Sequence, residues 1–80
     1  MNTENITPIN IGIDTSQTQL DIYVRPLGIF FSHPNSPSGA KEAVRDIRAL
    51  KPTRVIIEST GRLEFNFVLA AHKAKLPVAV

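Results

Sequence analysis

The sequence has no cysteine and no tryptophan, and its 80 residues include one methionine and one tyrosine. Without cysteine the chain has neither a disulfide framework nor a thiolate zinc site, which favours a cytosolic protein. It also has no apolar run long enough to cross a bilayer. Its first ten residues lack the basic and apolar regions of a secretory signal. We therefore expect a cytoplasmic chain of bacterial type without a membrane partner.

Charge of either sign is also sparse, since nine basic and seven acidic residues leave a net charge of +2. This balance is compatible with a nucleic-acid partner but does not require one. The length fits one small domain, and the last residues, LPVAV, read as a strand that is still apolar where the sequence stops. We expect a flexible N-terminal arm over residues 1–8. Residues 9–80 are then expected to form the N-terminal part of a catalytic domain that continues beyond Val80.

Apolar alternation predicts three strands in the first half of the chain. Isoleucines alternate with other residues from Ile9 to Asp14, and the same period of two runs from Leu20 to Arg25. A third apolar run covers Ile29 to Ser32, and short turns join the three. They therefore predict an antiparallel meander. The next stretch, 33–39, has the proline and glycine content of a loop, so we expect His33 to lie on the surface.

Apolar spacing then changes to that of a helix from Ala40 to Leu50, with Ser36 or Ser38 as the N-cap. We expect a fourth strand over 54–58, a second and more buried helix over 62–74 that Thr60 or Gly61 caps, and a fifth strand over 77–80. The order is β-β-β-α-β-α-β. Because helical crossovers make neighbouring strands parallel, strands one, four and five are predicted to be parallel, with the meander at one edge. All four phenylalanines are core candidates.

Two of the predicted parallel strands end in a carboxylate that is followed by hydroxyl residues. Asp14 ends strand one and Glu58 ends strand four. The carboxyl ends of parallel neighbours meet at one edge of a sheet, so both acids are candidate ligands of Mg²⁺ or Mn²⁺. Such an ion could polarise a phosphoryl oxygen and activate water or a hydroxyl. The alternative is structural, in which Asp14 caps a turn and Glu58 caps the second helix.

Basic residues supply a weaker signal. Lys41, Arg45 and Arg48 share one side of the first predicted helix and could touch DNA phosphates, as could Arg62. The alternative is a solvated helix face on which these cations interleave with Glu42 and Asp46.

Two segments resemble the N-terminal domain of the DEDD transposases of insertion sequences, a family that includes the pilin-gene inverting recombinases. GIDTSQTQLDIYV is similar to the family's opening, G-x-D-x-[ST]-K followed by L-D and a second strand. ESTGRLEFNFVLAAHKAKLPVAV is similar to its second block, in which E-[AS]-T-G precedes a helix and a strand. The sequence departs from the family pattern at Gln17, where lysine is frequent, and at Leu63, where an aromatic residue is frequent.

The resemblance implies a ribonuclease-H-like fold similar to Holliday-junction resolvases. It also implies that Asp14 and Glu58 are the first two members of an acidic tetrad that binds divalent metal and acts on DNA phosphodiesters. The remaining pair, a D-x-x-D on a later helix, has no counterpart in these residues. The implied partner is DNA, in a nucleoid-associated setting, and some members of the family are guided by RNA. The 80-residue chain alone is expected to be inactive and to self-associate as a homo-oligomer.

Two other functions fit parts of the sequence. A sugar-kinase or actin-like ATPase also opens with G-I-D-x-[GS]-T in a hairpin that binds phosphate, although residues 15–18 here contain no glycine. A non-catalytic interaction module would keep the fold and use both acids only as caps. Binding of Mn²⁺ and of nucleotide would distinguish these functions.

Overall fold

The computed structural model describes residues 8–58 and 61–79, which form one mixed five-stranded sheet with two helices packed on one face. The elements are β1 (Asn10–Thr15), β2 (Gln19–Arg25), β3 (Ile29–Pro34), α1 (Pro37–Ala49), β4 (Arg54–Ile57), α2 (Phe65–Lys73) and β5 (Val78–Ala79). The strand order across the sheet is β3-β2-β1-β4-β5. β1 pairs parallel with β4, and β4 with β5, while β2 and β3 form an antiparallel meander at one edge. The predicted α/β topology is confirmed.

Alternation along the strands decides which side chains form the core. Ile11 and Ile13 of β1 are buried, and the residues of β2, β4 and both helices that meet them complete one apolar cluster between sheet and helices. That cluster comprises Leu20, Ile22, Val24, Ala40, Ala43, Val44, Ile47, Val55, Ile57, Phe67 and Ala71. The other face of the sheet carries no helix within residues 8–58 and 61–79, and we call it the open face.

The first helix begins where capping chemistry predicts. The Ser36 side chain accepts a hydrogen bond of 3.0 Å from the backbone N–H of Gly39, and Pro37 occupies the first helical turn, where its missing N–H costs nothing. Ser36, and not Ser38, is therefore the N-cap. Gly39 is buried against Pro34, so close that a β-carbon would overlap the proline's carbonyl oxygen. This contact sets how closely α1 approaches the end of β3.

The third strand is longer than predicted, because it continues through His33 and Pro34. Proline is tolerated there since β3 is an edge strand that pairs only with β2. His33 is consequently not a surface loop residue: its side chain is 15% exposed, and its Nε2 lies 2.8 Å from Asp46 Oδ2 of α1.

The second helix begins three residues later than predicted and is the less buried of the two. It runs from Phe65 to Lys73 with only Phe67 and Ala71 buried, whereas α1 buries five residues. Gly61 and Arg62 have φ values of 56° and 71°, in the left-handed region, which is incompatible with a right-handed helix at this point. Glu64 is the N-cap residue, so Gly61 does not cap the helix, and Thr60 lies outside the described residues.

Two of the four predicted core phenylalanines are exposed. Phe67 is fully buried and Phe31 packs against the core, but Phe30 is 55% and Phe65 is 63% exposed. Phe30 lies opposite Tyr23 in the β2–β3 register, so the pleat directs both rings to the open face, with centroids 4.9 Å apart.

No helix among the described residues has the length and apolarity needed to cross a bilayer. The predicted arm falls almost wholly outside the described residues.

Candidate functional site

Asp14 lies near the end of β1 on the open face of the sheet. Its neighbours Ile13 and Thr15 point toward the helical layer, and Asp14, like Asn10 and Gly12, points away from it. The strand therefore fixes the position of the carboxylate while leaving it exposed to solvent.

Glu58 is the residue that follows β4 and lies beside Asp14. The parallel register pairs Gly12 with Ile56 and Ile13 with Ile57. One further step along that register places Glu58 next to Asp14, and the backbone N–H of Glu58 donates to the Ile13 carbonyl at 3.2 Å, which continues the ladder. The two acids therefore lie at the same edge of the sheet on adjacent strands, and such strands are about 4.8 Å apart.

Both acids line one shallow cavity of about 420 Å³ on the open face. Gly12 forms part of its floor, and no atom lies within 4 Å of the place where a β-carbon of Gly12 would be, so the backbone there is open to a ligand. Tyr23, Arg25 and Ile56 are among the other residues that line the cavity. The structure thus brings together two acidic residues that are 44 positions apart in the sequence.

Neither carboxylate is used for capping within the described chain. The turn after β1 is closed by Ser16, whose N–H and hydroxyl both contact the Gln19 carbonyl, at 2.9 and 3.3 Å. In residues 8–58 and 61–79 no hydrogen bond reaches the side chain of Asp14 or Glu58, and α2 takes Glu64 as its N-cap. The structural explanation of the two acids therefore has no contact to support it in this part of the molecule.

A third acid, Asp21, lies directly opposite Asp14 across the β1–β2 pair. Its Oδ1 accepts hydrogen bonds from Gln19 Nε2 at 2.6 Å and from the Ser32 hydroxyl at 2.9 Å. These bonds hold the Asp21 carboxylate toward β3, away from the shared cavity. Sequence reasoning did not single out Asp21, although its position in the alternation of β2 carried the signal.

The donor set suits a small hard cation that keeps much of its water. Mg²⁺ is commonly held by one or two carboxylates, with waters and substrate phosphates as the other ligands. Asp14 and Glu58 provide that minimum, both exposed and both on one cavity. No group of three or more histidine, aspartate or glutamate side chains within the described ranges could enclose a metal by itself. The two acids therefore fit an ion that is shared with a substrate.

The basic candidates lie elsewhere. Arg62 lines a separate cavity with Glu64, Phe65 and Asn66, not the one that Asp14 and Glu58 share. Lys41, Arg45 and Arg48 lie on α1, on the helical side of the sheet. The role of these residues in DNA binding stays a prediction.

Asn35, a polar residue that sequence analysis did not single out, supports the site by holding two neighbouring segments together. Asn35 Nδ2 donates to the carbonyl oxygens of Ser16, at 2.7 Å, and Leu63, at 2.9 Å, and Asn66 Nδ2 lies 3.2 Å from Asn35 Oδ1. Asn35 therefore links the turn after Asp14 to the start of α2. Only an asparagine in a loop was visible in the sequence, and loop asparagines are too common to be informative.

Comparison with known structures gives the same fold. The chain is similar to a Thermus thermophilus RuvC structure, with a TM-score of 0.59, 18% identity and coverage of 88% of this chain and 59% of that chain. It is also similar to T. thermophilus RuvC in complex with Holliday junction substrate, with a TM-score of 0.50, 22% identity and coverage of 90% and 62%. No protein-family model and no curated protein matches the sequence.

These likenesses establish the class of fold: a ribonuclease-H-like α/β sheet of the kind found in RuvC, as predicted. The chain spans about three-fifths of the length of the RuvC chains that it matches. The predicted membership of the DEDD transposases, the RNA partner and the homo-oligomer stay predictions.

Proposed function

We propose that this chain is the N-terminal part of the catalytic domain of a DNA transposase or site-specific recombinase, which acts by metal-dependent phosphoryl transfer on DNA. The observation that carries the proposal is the placement of Asp14 and Glu58 side by side at the carboxyl ends of β1 and β4, on one open cavity. The RuvC fold and the Holliday junction substrate bound in one of the similar structures support DNA as the substrate class.

Asp14 and Glu58 would hold a divalent cation at the edge of the sheet. When bound, that cation would polarise a phosphoryl oxygen and favour in-line attack on the phosphorus. The protein residues contribute position and charge: β1 and β4 fix the spacing of the two carboxylates, and their negative charge attracts the cation. The missing side chain at Gly12 leaves room for a phosphate backbone to approach the strand.

The direct test is Mn²⁺ binding to the 80-residue chain, measured by calorimetry or by the paramagnetic signal of the ion. We expect weak binding to the wild type that is lost in Asp14→Ala and in Glu58→Ala. Glu42→Ala, which removes an exposed acid from α1 on the other side of the sheet, is the matched control and should bind as the wild type does. Equal binding by all three variants and the wild type would refute the metal site.

A second arm separates the proposed function from the ATPase alternative. Nucleotide titration should show no binding, because the turn after β1 uses its Ser16 and Gln19 N–H groups internally instead of presenting them to phosphate. Saturable ATP binding would favour the ATPase. In a longer protein that contains this chain, either Asp14→Ala or Glu58→Ala should abolish recombination while the fold persists. Retained recombination would exclude a catalytic role.

A further inference from the structure

A groove of about 600 Å³ runs between α1 and α2. Its walls carry four basic side chains, three from α1 and one from α2, and its floor is made of small apolar residues. The basic residues are Lys41, Arg45, Arg48 and Lys73, and the floor consists of Val44, Ala49, Ala70 and Ala74. Asp14 and Glu58 lie on the opposite face of the sheet, so this basic groove is separate from the carboxylate cavity.

The acids of α1 are drawn to a different flank of the helix. Asp46 Oδ2 lies 2.8 Å from His33 Nε2, and Glu42 Oε1 lies 3.6 Å from His33 Nδ1, so both acids face β3. Of the four groove cations, only Arg45 has a carboxylate within 4 Å in the described chain, that of Asp46 at 3.6 Å. Apart from the contact between Arg45 and Asp46, the acids of α1 therefore lie toward β3 and its cations toward the groove.

The spacing of the cations matches a nucleic-acid backbone. Lys41, Arg45 and Arg48 stand at i, i+4 and i+7, which places them along a row of about 10 Å on the helix. One strand of duplex DNA carries a phosphate about every 3.4 Å along its axis and winds as it rises, so the row is long enough to contact two or three phosphates. The alanine floor allows the strand to come close.

The same floor disfavours an acidic protein as the occupant. Protein interfaces are enriched in aromatic residues, methionine and arginine and depleted in alanine, and the floor of this groove is largely alanine. Val44 is only 5% exposed, and the remaining floor is alanine.

We propose that the basic groove binds the phosphate backbone of a DNA duplex, independent of sequence and on the face opposite to the carboxylates. The inference does not rest on the proposed function, because it uses no residue of the carboxylate cavity. If both hold, the domain contacts two DNA segments, one on each face.

The test is fluorescence anisotropy of a labelled random-sequence duplex, titrated with the 80-residue chain in EDTA at several salt concentrations. The groove variant carries Lys41→Gln and Lys73→Gln. The matched control carries Lys51→Asn and Lys75→Asn, two lysines that do not line the groove. Both have positive φ, 51° and 61°, a conformation that asparagine tolerates. Each variant removes two positive charges, so an effect of net charge alone would be the same in both.

We expect the groove variant to bind about tenfold more weakly, and its slope of log affinity against log salt to fall by about 1.8, since each lost phosphate contact removes about 0.9. The control should keep nearly the slope of the wild type. Equal losses in the two variants would overturn the proposal, as would a polyglutamate peptide that competes more tightly than DNA of equal charge. Circular dichroism checks that each variant is folded. If the double variant is unfolded, the single variant Lys41→Glu replaces it, because Lys41 is exposed. Because EDTA removes divalent cations, a failed metal site would leave the result unchanged.

Discussion

Asp14 and Asp21 stand directly opposite each other across the antiparallel β1–β2 pair, so two like charges face the same side of the sheet. Directly opposed like charges destabilise a strand pair by about 0.2–1 kcal/mol. Glu58, beside Asp14 on β4, adds a third negative charge to the row. Hydrogen bonds from Gln19 and Ser32 offset part of the repulsion at Asp21, and we expect the rest to cost stability, as functional sites often do.

The first prediction is that Asp14→Asn stabilises the chain in EDTA by up to about 1 kcal/mol, because the amide removes the repulsion from Asp21 and Glu58. Millimolar Mg²⁺ should narrow the difference, since an ion that binds only the folded wild type raises its free energy of unfolding. Thermal unfolding followed by circular dichroism measures both effects. Asp46→Asn is the control and should be destabilising, because Asp46 is paired with His33. A less stable Asp14→Asn variant in EDTA would contradict the account.

The second prediction concerns the contact between Gly39 and Pro34. Helix propensity alone would favour Gly39→Ala by about 1 kcal/mol. The added β-carbon, however, would overlap the Pro34 carbonyl oxygen and come within 2.8 Å of its carbon. Because these are backbone atoms that cannot rotate away, α1 must shift, and we expect a net loss of about 2 kcal/mol.

Urea unfolding of Gly39→Ala and Gly12→Ala tests this pair of glycines. Gly12 has no atom within 4 Å of its would-be β-carbon, so the alanine there should be neutral or slightly stabilising. If Gly39→Ala were as stable as Gly12→Ala, the close packing of α1 on β3 would be wrong.

The parts of the fold that follow from local patterns could be predicted from the sequence. Isoleucine alternation located β1, helical spacing located α1 with Ser36 or Ser38 as its cap, and the crossover rule placed Asp14 beside Glu58. The candidate site was predictable because it depends on two strand ends and not on side-chain packing.

The parts that depend on backbone conformation or tertiary contact could not be predicted. The positive φ of Arg62, which delays α2, leaves no mark in the composition of the segment. The run of Phe30 and Phe31 can be placed on either face, and only the pairing of Phe30 with Tyr23 decides that Phe30 is exposed. The composition of residues 33–39 indicates a loop, and only the edge position of β3 allows His33 and Pro34 to extend the strand.

The third prediction follows from the position of His33 between β3 and α1. Its side chain is 15% exposed, contacts Asp46 at 2.8 Å and lies edge-on to Phe31 with ring centroids 5.7 Å apart. A hydrogen bond to a charged group contributes about 1.5–3 kcal/mol, and we take the lower end because Asp46 is 41% exposed. His33→Ala should therefore lower the free energy of unfolding by about 1–2 kcal/mol. For a chain of this size that is a fall in Tm of roughly 4–16 °C.

His72→Ala is the matched control for this histidine, since His72 is exposed in the last turn of α2 and its substitution should change stability by less than about 0.5 kcal/mol. His33→Gln separates packing from hydrogen bonding: an amide can still donate to Asp46 and should recover part of the loss. If the His33→Ala and His72→Ala variants have the same Tm, the contact between His33 and Asp46 does not anchor β3 to α1. The contact of β3 with α1 would then depend on other residues, among them Gly39 against Pro34.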